Sequence, residues 1–289
     1  MTRLREYLHE GERLGQRYAL CVPRQTPRGA TGAALGQRAG SSLEFKDYRD
    51  YQLGDDLRHI DWNVFARTDQ LSVKLYREEI TPHLDLVLDA SRSMALEGSA
   101  KERAALMLTS LLATAAANAG FSHAVWLMGD DFHPVPNGNA APGLWGDFEL
   151  HHRGSPTALL ARGSPAWRPR GVRVLVSDLF WVGEPLLALR PLTEAASAAV
   201  VIQLLADTDA HPPEEGALRL IDAETNQTRE IYLDALLARH YREALARHQQ
   251  NWNEACRQTG ALFTTVIAET LLHDGRLDDL IATEFLRVI

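Results

Sequence analysis

The sequence contains little cysteine and no long apolar run. Its 289 residues include only Cys21 and Cys256, far apart and without Cys-x-x-Cys spacing. This pattern excludes a disulfide framework and a zinc ribbon, and it suits a reducing compartment, so we expect a cytoplasmic protein. A secretory signal and an apolar stretch of the roughly 18 residues needed to cross a membrane are both missing. The sequence therefore predicts a chain without a transmembrane segment.

The signatures of several enzyme classes are missing as well. There is no GxxxxGK[ST] phosphate loop, no GxGxxG turn after a strand, no GxSxG nucleophile elbow and no HExxH zinc helix. Each motif positions the backbone or side-chain groups that bind the substrate or carry out the reaction. Their absence argues against nucleotide hydrolysis, dinucleotide binding, serine hydrolysis and zinc proteolysis. We accordingly expect that the chain is not an enzyme.

Positive charge is concentrated at the start of the chain. Residues 1–40 hold seven arginines and three glutamates, a balance of +4, whereas the whole chain carries −8. A basic arm of this kind is suited to nucleic acid or to an anionic surface. The acidic balance of the whole chain argues against a dedicated nucleic-acid binder, so a solvated helix followed by a linker is the alternative.

Hydrophobic periodicity predicts an α/β fold. A Pro- and Gly-rich stretch ends near residue 40, and residues 43–79 read as short strands and turns. From residue 84 onward, apolar runs such as 172–176 alternate with helical stretches such as Lys101–Asn118. This alternation implies a Rossmann-like, doubly wound, mainly parallel sheet with helices on both faces. We therefore divide the chain into 1–40 (basic helix and linker), 41–80 (a small strand-rich region) and 81–289 (the α/β domain).

Two of the predicted strands run into aspartate. The strand over 84–88 leads into Asp89, followed by Ser91 and Ser93, and the strand over 172–176 leads through a serine into Asp178. If these strands are parallel, both carboxylates lie at the carboxyl edge of the sheet, where such folds bind ligands. Carboxylate and hydroxyl oxygens are the ligands that Mg²⁺, and likewise Mn²⁺ or Ca²⁺, prefer. The pattern indicates a divalent-metal site, and the alternative is a helix cap that satisfies free N–H groups.

The Asp-x-Ser-x-Ser sequence resembles the metal-ion-dependent adhesion site of von Willebrand factor A domains. The resemblance implies a von Willebrand factor A-like domain whose ion is held by one turn, a distant threonine and a distant aspartate. The matching positions here are Asp89, Ser91, Ser93, Thr157 and Asp178. Ser155 is the substitute for Thr157, because Pro156 interrupts the usual pattern. One coordination position would stay open for a carboxylate of a partner protein.

A second block, residues 44–67, narrows the resemblance. It closely resembles the hallmark of a bacterial family known as domain of unknown function 58, and the two resemblances together cover about residues 40–270. Members of that family are commonly encoded beside MoxR-type AAA+ ATPases and are thought to act with them. The resemblance therefore implies an adaptor or co-factor for such an ATPase, together with an unknown protein client. Many members also carry membrane helices before the hallmark, which this chain lacks.

The 44–67 block mixes aromatic, acidic and basic side chains. Arginine and carboxylate pair readily, with aromatic rings packed beside them. The block is therefore either a structural network that holds this segment to the main domain or a docking surface for the partner ATPase, and a cation ligand in the turn at Gly54 is a further alternative. The residues expected at a partner-binding surface are Asp55, Asp56, Arg58, Asp61, Trp62 and, beside the metal turn, Arg92.

One enzyme alternative remains. An aspartate at a strand end with Mg²⁺ also describes phosphohydrolases in which the carboxylate attacks phosphorus, here Asp89. Those enzymes need a second aspartate two residues later as acid and base, and that position holds Ser91. The leading hypothesis stays metal-dependent protein recognition. It requires the oxygens of residues 89 and 178 to converge and to leave one outward-facing corner open.

Overall fold

The computed structural model describes most of the chain. The described residues are 2–21, 43–52, 54–78, 82–152, 156–163, 165, 167–213, 215–223 and 227–289. Contacts divide the chain into two compact units, of which the larger joins Met1–Thr26 to Pro82–Ile289 and the smaller is Pro27–Thr81.

Helices and strands alternate along most of the larger unit. In chain order the elements are α1 (Thr2–Gly15), β1 (Tyr18–Leu20), β2 (Leu43–Asp50), α2 (Trp62–Thr68), β3 (Ser72–Glu78), β4 (His83–Asp89), α3 (Lys101–Asn118), β5 (Ser122–Met128), β6 (Phe132–Pro134), α4 (Pro156–Arg162), β7 (Val172–Ser177), α5 (Pro185–Thr193), β8 (Ala198–Leu205), α6 (Asp207–Ala210), β9 (Gly216–Ile221), β10 (Thr228–Leu233), α7 (Ala235–Thr259), β11 (Leu262–Ile267), α8 (Ala268–Asp274), α9 (Asp278–Ala282) and β12 (Leu286–Val288). Short 3-10 helices span Leu57–His59, Arg92–Ala95 and Pro142–Leu144. None of the described helices is long and apolar enough to cross a membrane.

Within the described residues, six strands form the central sheet of the larger unit. Their spatial order is β11-β8-β7-β4-β5-β6. Neighbouring strands are parallel except β6, which is antiparallel to β5 at one edge. Numbered along the chain within this sheet, the order is 3-2-1-4-5-6, and it reverses between β4 and β7. The predicted doubly wound, mainly parallel sheet is confirmed.

Helices cover both faces of this sheet. The central strands β4 and β7 are buried along their whole length, as is typical of parallel strands that are covered on both faces. Leu86 belongs to the core that α1, α3 and α8 complete, and the next residue, Val87, belongs to the core that α4, α5 and α7 complete. Successive side chains of a strand point to opposite faces, so each face packs against its own helical layer.

The N-terminal helix is part of the larger unit. A Cβ added at Gly11 would collide with Ser110 of α3, so the two helix backbones approach closely. Ser110 Oγ donates to the carbonyl of Leu8 at 2.9 Å, and Arg103 donates to both carboxylate oxygens of Glu10 at 2.7–3.0 Å. The solvated helix expected as one alternative is therefore wrong for α1, because one face of it packs along α3.

A buried arginine fastens the end of α5 to β7. Arg173 is 4% exposed, and its Nη1 donates to the carbonyls of Pro191, Leu192 and Glu194 at 2.8, 3.2 and 2.7 Å. Its guanidinium lies 4.7 Å from the centre of the Trp167 ring. The last carbonyls of a helix have no intrahelical partner and carry partial negative charge, so the arginine satisfies them.

The smaller unit pairs β2 with β3 in an antiparallel ladder and places α2 between them along the chain. Asp61 caps α2, because its Oδ1 accepts from the N–H groups of Asn63 and Val64 at 2.9 and 3.2 Å. Such caps satisfy the first free N–H groups of a helix. The strands predicted here are present, but the prediction of strands and turns alone missed α2.

Candidate functional site

Two aspartates meet where the strand order of the central sheet reverses. Asp89 is the last residue of β4, and Asp178 directly follows β7. Leu88 pairs with Val176 in the parallel ladder, which places Asp89 beside Ser177. Ser177 Oγ donates to Asp89 Oδ2 at 2.5 Å. The structure thus brings both predicted carboxylates to the crevice where doubly wound sheets bind their ligands.

The turn after β4 gathers the two predicted hydroxyl groups. The N–H of Ser91 donates to Asp89 Oδ1 at 2.9 Å, and Ser91 Oγ lies 3.0 Å from Ser93 Oγ. A short 3-10 helix, Arg92–Ala95, carries the chain away from the turn. The Asp-x-Ser-x-Ser segment therefore presents one carboxylate and two neighbouring hydroxyls on one side of a tight turn.

A neighbouring segment holds this turn through its backbone. The N–H of His152 donates to the carbonyl of Ala90 at 2.8 Å, and the carbonyl of His152 accepts from the N–H of Arg92 at 3.2 Å. The Arg92 side chain is partly exposed beside the turn, as a partner-binding residue needs to be. Because main-chain atoms make these contacts, no particular side chain at position 152 is required, and sequence reasoning could not have found them.

Asp89 is fully buried, and its carboxylate is short of compensating charge. Its Oδ2 accepts from Trp181 Nε1 at 3.0 Å in addition to the Ser177 hydroxyl. Burial, and then the charge of Asp178, raise the pKa of Asp89 to about 6, although hydrogen bonds from Ser177 and Ser91 oppose this. Burial disfavours a charged carboxylate, and two nearby carboxylates repel each other. A divalent cation would relieve both effects.

Asp178 has a different environment, because a buried lysine contacts it. Lys101, the first residue of α3, is 3% exposed, and its Nζ lies 3.0 Å from Asp178 Oδ2 and 3.2 Å from Asp209 Oδ2. Burial lowers the pKa of Lys101, but the charges of Asp178 and Asp209 outweigh it and leave the pKa above its ordinary value. The N–H of Phe180 donates to Asp178 Oδ1 at 3.2 Å. Asp178 is thus held by an ammonium on one oxygen and by the backbone on the other.

The donor set suits a hard divalent ion in type. It consists of carboxylate and hydroxyl oxygens, and Ser93 is partly exposed while Asp89 and Asp178 are fully buried. Across the described ranges, no group of three or more histidine, cysteine, aspartate or glutamate side chains is arranged to hold a metal. An ion here would therefore depend on hydroxyl and water ligands beside Asp89, as Mg²⁺ sites commonly do.

The predicted threonine ligand stays a prediction. Thr157 is the second residue of α4 (Pro156–Arg162). Its side chain, and the whole of the substitute Ser155, lie outside the described residues.

Asp61 of the smaller unit points inward. It is 5% exposed and accepts from Lys74 Nζ at 3.0 Å and from the Tyr48 hydroxyl at 2.9 Å. These hydrogen bonds, the one from Lys74 foremost, lower the pKa of Asp61 to about 2. Together with the cap on α2, these contacts make Asp61 a structural residue of its unit.

The remaining predicted docking residues lie nearer the surface. Asp55 accepts from Arg49 at 2.6 Å, and Asp56 pairs with Arg58 at 2.7 Å, which lowers the pKa of both carboxyls, that of Asp56 to about 2. Both carboxylates in the turn are thus partnered by arginine. Trp62 is 60% exposed, as a docking residue needs to be, whereas a core residue would be buried.

Sequence reasoning missed four side chains at the candidate site, namely Lys101, Ser177, Trp181 and Asp209. One signal pointed to the lysine: a cation at the first position of a helix is disfavoured by the helix dipole. Its presence at the start of α3 therefore indicates an acidic partner. Ser177 and Trp181 flank Asp178 in sequence, but nothing in the chain marked Asp209.

The sheet order, with its single antiparallel edge strand in the described part of the sheet, and the Asp-x-Ser-x-Ser turn at the switch point define a von Willebrand factor A-like α/β domain. The family described as "Protein of unknown function DUF58" matches residues 47–251. The chain therefore belongs to the DUF58 family, as the 44–67 block and the turn predicted.

Relatives and solved structures add context. Uncharacterized protein Rv1480 of Mycobacterium tuberculosis is 27% identical over 250 residues, which are 80% of this chain and 76% of that protein. Uncharacterized protein MAV169 of Mycobacterium avium is 34% identical over 101 residues, which are 34% of this chain and 58% of that protein.

Among solved structures, conserved hypothetical protein BatB of Bacteroides thetaiotaomicron has a TM-score of 0.35 at 12% identity, and the match covers 70% of this chain and 98% of the BatB chain. An aerotolerance-related membrane protein of Bacteroides fragilis has a TM-score of 0.37 at 15% identity, covering 70% and 99%. The ArnB paralog VWA2 of Sulfolobus acidocaldarius has a TM-score of 0.31 at 12% identity, covering 66% and 84%.

Proposed function

We propose that this protein is a divalent-metal-dependent protein-interaction module. One observation carries the proposal: Asp89 and Asp178 converge at the switch point of the sheet, next to the hydroxyl pair of Ser91 and Ser93. Oxygen donors from two separate segments lie at the same edge of the sheet, and of the two carboxylates only that of Asp178 contacts a lysine among the described residues. That arrangement suits a bound cation better than it suits a helix cap, since Ser91 makes no side-chain cap bond to the helix that follows.

In this proposal some residues would hold the metal ion and others position those ligands. Asp89, Ser91 and Ser93 would hold Mg²⁺, with Asp178 acting through a water or directly and Thr157 completing the set. When bound, the ion would act as an electrophile that accepts a carboxylate oxygen from a partner. Ser177 and Trp181 orient the Asp89 carboxylate by donating to its Oδ2. The backbone of His152 keeps the serine turn in place.

The partner that fits this module is a MoxR-type AAA+ ATPase acting on a protein client. The proposal is supported by membership of the DUF58 family and by the exposed Trp62 and Arg58 of its hallmark block. We propose the cytoplasm as the place of this assembly. The unpaired state of Cys21 and Cys256 is consistent with a reducing compartment.

Magnesium binding tests the metal half of the proposal. Isothermal titration of the full chain with Mg²⁺ should show one site, and Asp89→Asn or Ser93→Ala should lose it. Asp131→Asn serves as the matched control, because Asp131 is an exposed aspartate in the turn after β5. Equal affinity in wild type and Asp89→Asn would overturn the metal site.

Partner binding tests the other half. The purified ATPase should be retained by the immobilised chain in Mg²⁺ and released by EDTA, and Asp89→Asn should prevent retention. Turnover of a generic aryl phosphate that depends on Mg²⁺ and Asp89 would instead establish the phosphohydrolase. Salt-sensitive binding of nucleic acid or anionic vesicles that disappears without the N-terminal arginines would establish the basic-arm alternative.

A further inference from the structure

The two aspartates of the candidate site are neutralised differently. The described contacts of the Asp89 carboxylate come from uncharged donors, the Ser91 N–H, the Ser177 hydroxyl and the Trp181 indole. Asp178, in contrast, accepts from the ammonium of Lys101 at 3.0 Å. One half of the acidic pair therefore already has a cation that belongs to the protein.

Lys101 is firmly anchored in this position. Its side chain is 3% exposed, a second carboxylate, Asp209, lies 3.2 Å from Nζ, and the centre of the Phe180 ring lies 5.9 Å away. Asp209 in turn accepts from the N–H of Ala206, so the loop after β8 holds it toward the lysine. An ammonium with two carboxylates and an aromatic face around it does not move into solvent readily.

A divalent ion and this ammonium are drawn to the same carboxylate. Inside a protein, screening by water and salt is weak, so two cations that share one carboxylate repel each other strongly. Binding of the ion directly to Asp178 must therefore either break the ion pair with Lys101 or proceed against its charge. Binding of the ion to Asp89 and to the serine hydroxyls breaks no such ion pair, because their described contacts come from uncharged groups.

We propose that Lys101 is a tethered cation that competes with the divalent ion for Asp178 and sets the affinity of the site. This inference rests on the proposed function. Without the ion, Lys101 keeps Asp178 charge-balanced, and with the ion it confines direct coordination to Asp89 and the serine turn. The site accordingly binds Mg²⁺ more weakly than its oxygen donors alone would allow.

The test is titration of the full-length chain with Mg²⁺, comparing wild type, Lys101→Met and Arg103→Met. Methionine keeps the length of the lysine stem and removes its charge. Arg103→Met removes one positive charge from the same helix, where Arg103 pairs with Glu10 and not with the candidate site. We expect Lys101→Met to bind Mg²⁺ at least about tenfold more tightly, and Arg103→Met to stay within about threefold of wild type.

The outcomes separate this inference from the proposed function. Wild-type binding with equal or weaker binding by Lys101→Met overturns the competition and leaves the metal module standing. Binding by Lys101→Met alone supports the competition and overturns the module in the natural chain. An equal gain in both variants shows a general effect of charge and overturns the competition, and absence of binding in all three proteins overturns both ideas.

Two additions protect the test from a folding defect. Circular dichroism in EDTA shows whether Lys101→Met is folded, and Lys101→Gln replaces it if it is not, because the amide can still donate to Asp178. A measurement on the wild type needs no variant. The ¹⁵N signal of the Lys101 ammonium should shift as Mg²⁺ fills the site, and an unchanged signal at saturation overturns the competition.

Discussion

Ser177 donates a hydrogen bond of 2.5 Å to Asp89 and thereby joins the ends of two adjacent parallel strands. The bond stabilises the charged form of Asp89, yet burial and the charge of Asp178 outweigh it. The carboxyl group of Asp89 therefore gains and loses its proton near pH 6, where the protein can be studied. Measurements of stability in the absence of metal can detect this change of charge.

The first prediction concerns the stability of the metal-free protein. The pKa of Asp89 rises from 3.8 to about 6 on folding, so between these values the folded chain holds a proton that the unfolded chain has lost. Stability from this group is therefore present at low pH and decreases as the pH rises through about 6. The loss across the whole interval should be on the order of 3 kcal/mol, and it should be missing in Asp89→Asn.

Urea unfolding of both proteins in EDTA between roughly pH 3.5 and 7 checks this, because that range contains both pKa values. The useful quantity is the difference between the two pH profiles, because the asparagine that replaces Asp89 also changes hydrogen bonds at every pH. Parallel profiles would contradict the raised pKa.

The second prediction uses Gly11 to test the packing of α1. In a solvated helix, Gly11→Ala would stabilise by about 1 kcal/mol, because alanine has the higher helix propensity. Here the new methyl group would meet Ser110, so we expect a loss of roughly 1–3 kcal/mol. Glu6→Ala, at an exposed position of the same helix, is the control. A gain in the melting temperature of Gly11→Ala would mean that α1 is detached in solution.

The third prediction concerns the buried Arg173. Arg173→Met leaves the last carbonyls of α5 without their donor, and we expect a loss of roughly 3 kcal/mol in the free energy of unfolding. Arg190→Met, at an exposed position of α5 itself, should change stability by no more than about 0.5 kcal/mol. Denaturant unfolding of the two variants gives the comparison. Similar values for both would show that the guanidinium contacts contribute nothing beyond surface charge.

The fourth prediction separates structure from docking in the hallmark block. Asp61→Ala removes the cap of α2 and should destabilise this helix by about 1 kcal/mol, seen as faster amide exchange over Trp62–Thr68. Trp62→Ala should leave that exchange unchanged and weaken binding of the ATPase, because exposed tryptophans often anchor interfaces. Unchanged ATPase affinity in Trp62→Ala would remove the block from the docking surface.

Much of the fold was predictable, because its signals are local. The prediction for Lys101–Asn118 matches α3 at both ends, and the run over 172–176, which is apolar apart from Arg173, is a buried strand as predicted. Short elements without such patterns were not predictable. β1 and β12 are three residues each and exist because they pair with one another across almost the whole length of the chain.

The candidate site divides in the same way. The chain itself determined which residues end the two central strands: an apolar run followed by aspartate marks Asp89 and Asp178, and hydroxyl spacing marks Ser91 and Ser93. Tertiary structure alone decided that Lys101 pairs with both Asp178 and Asp209, the latter 108 positions away, and that Asp61 faces inward. Local sequence patterns indicate helix and strand propensity and the periodicity of apolar residues. The neutralisation of a buried charge depends instead on which side chains, distant in sequence, the connections between strands bring next to it.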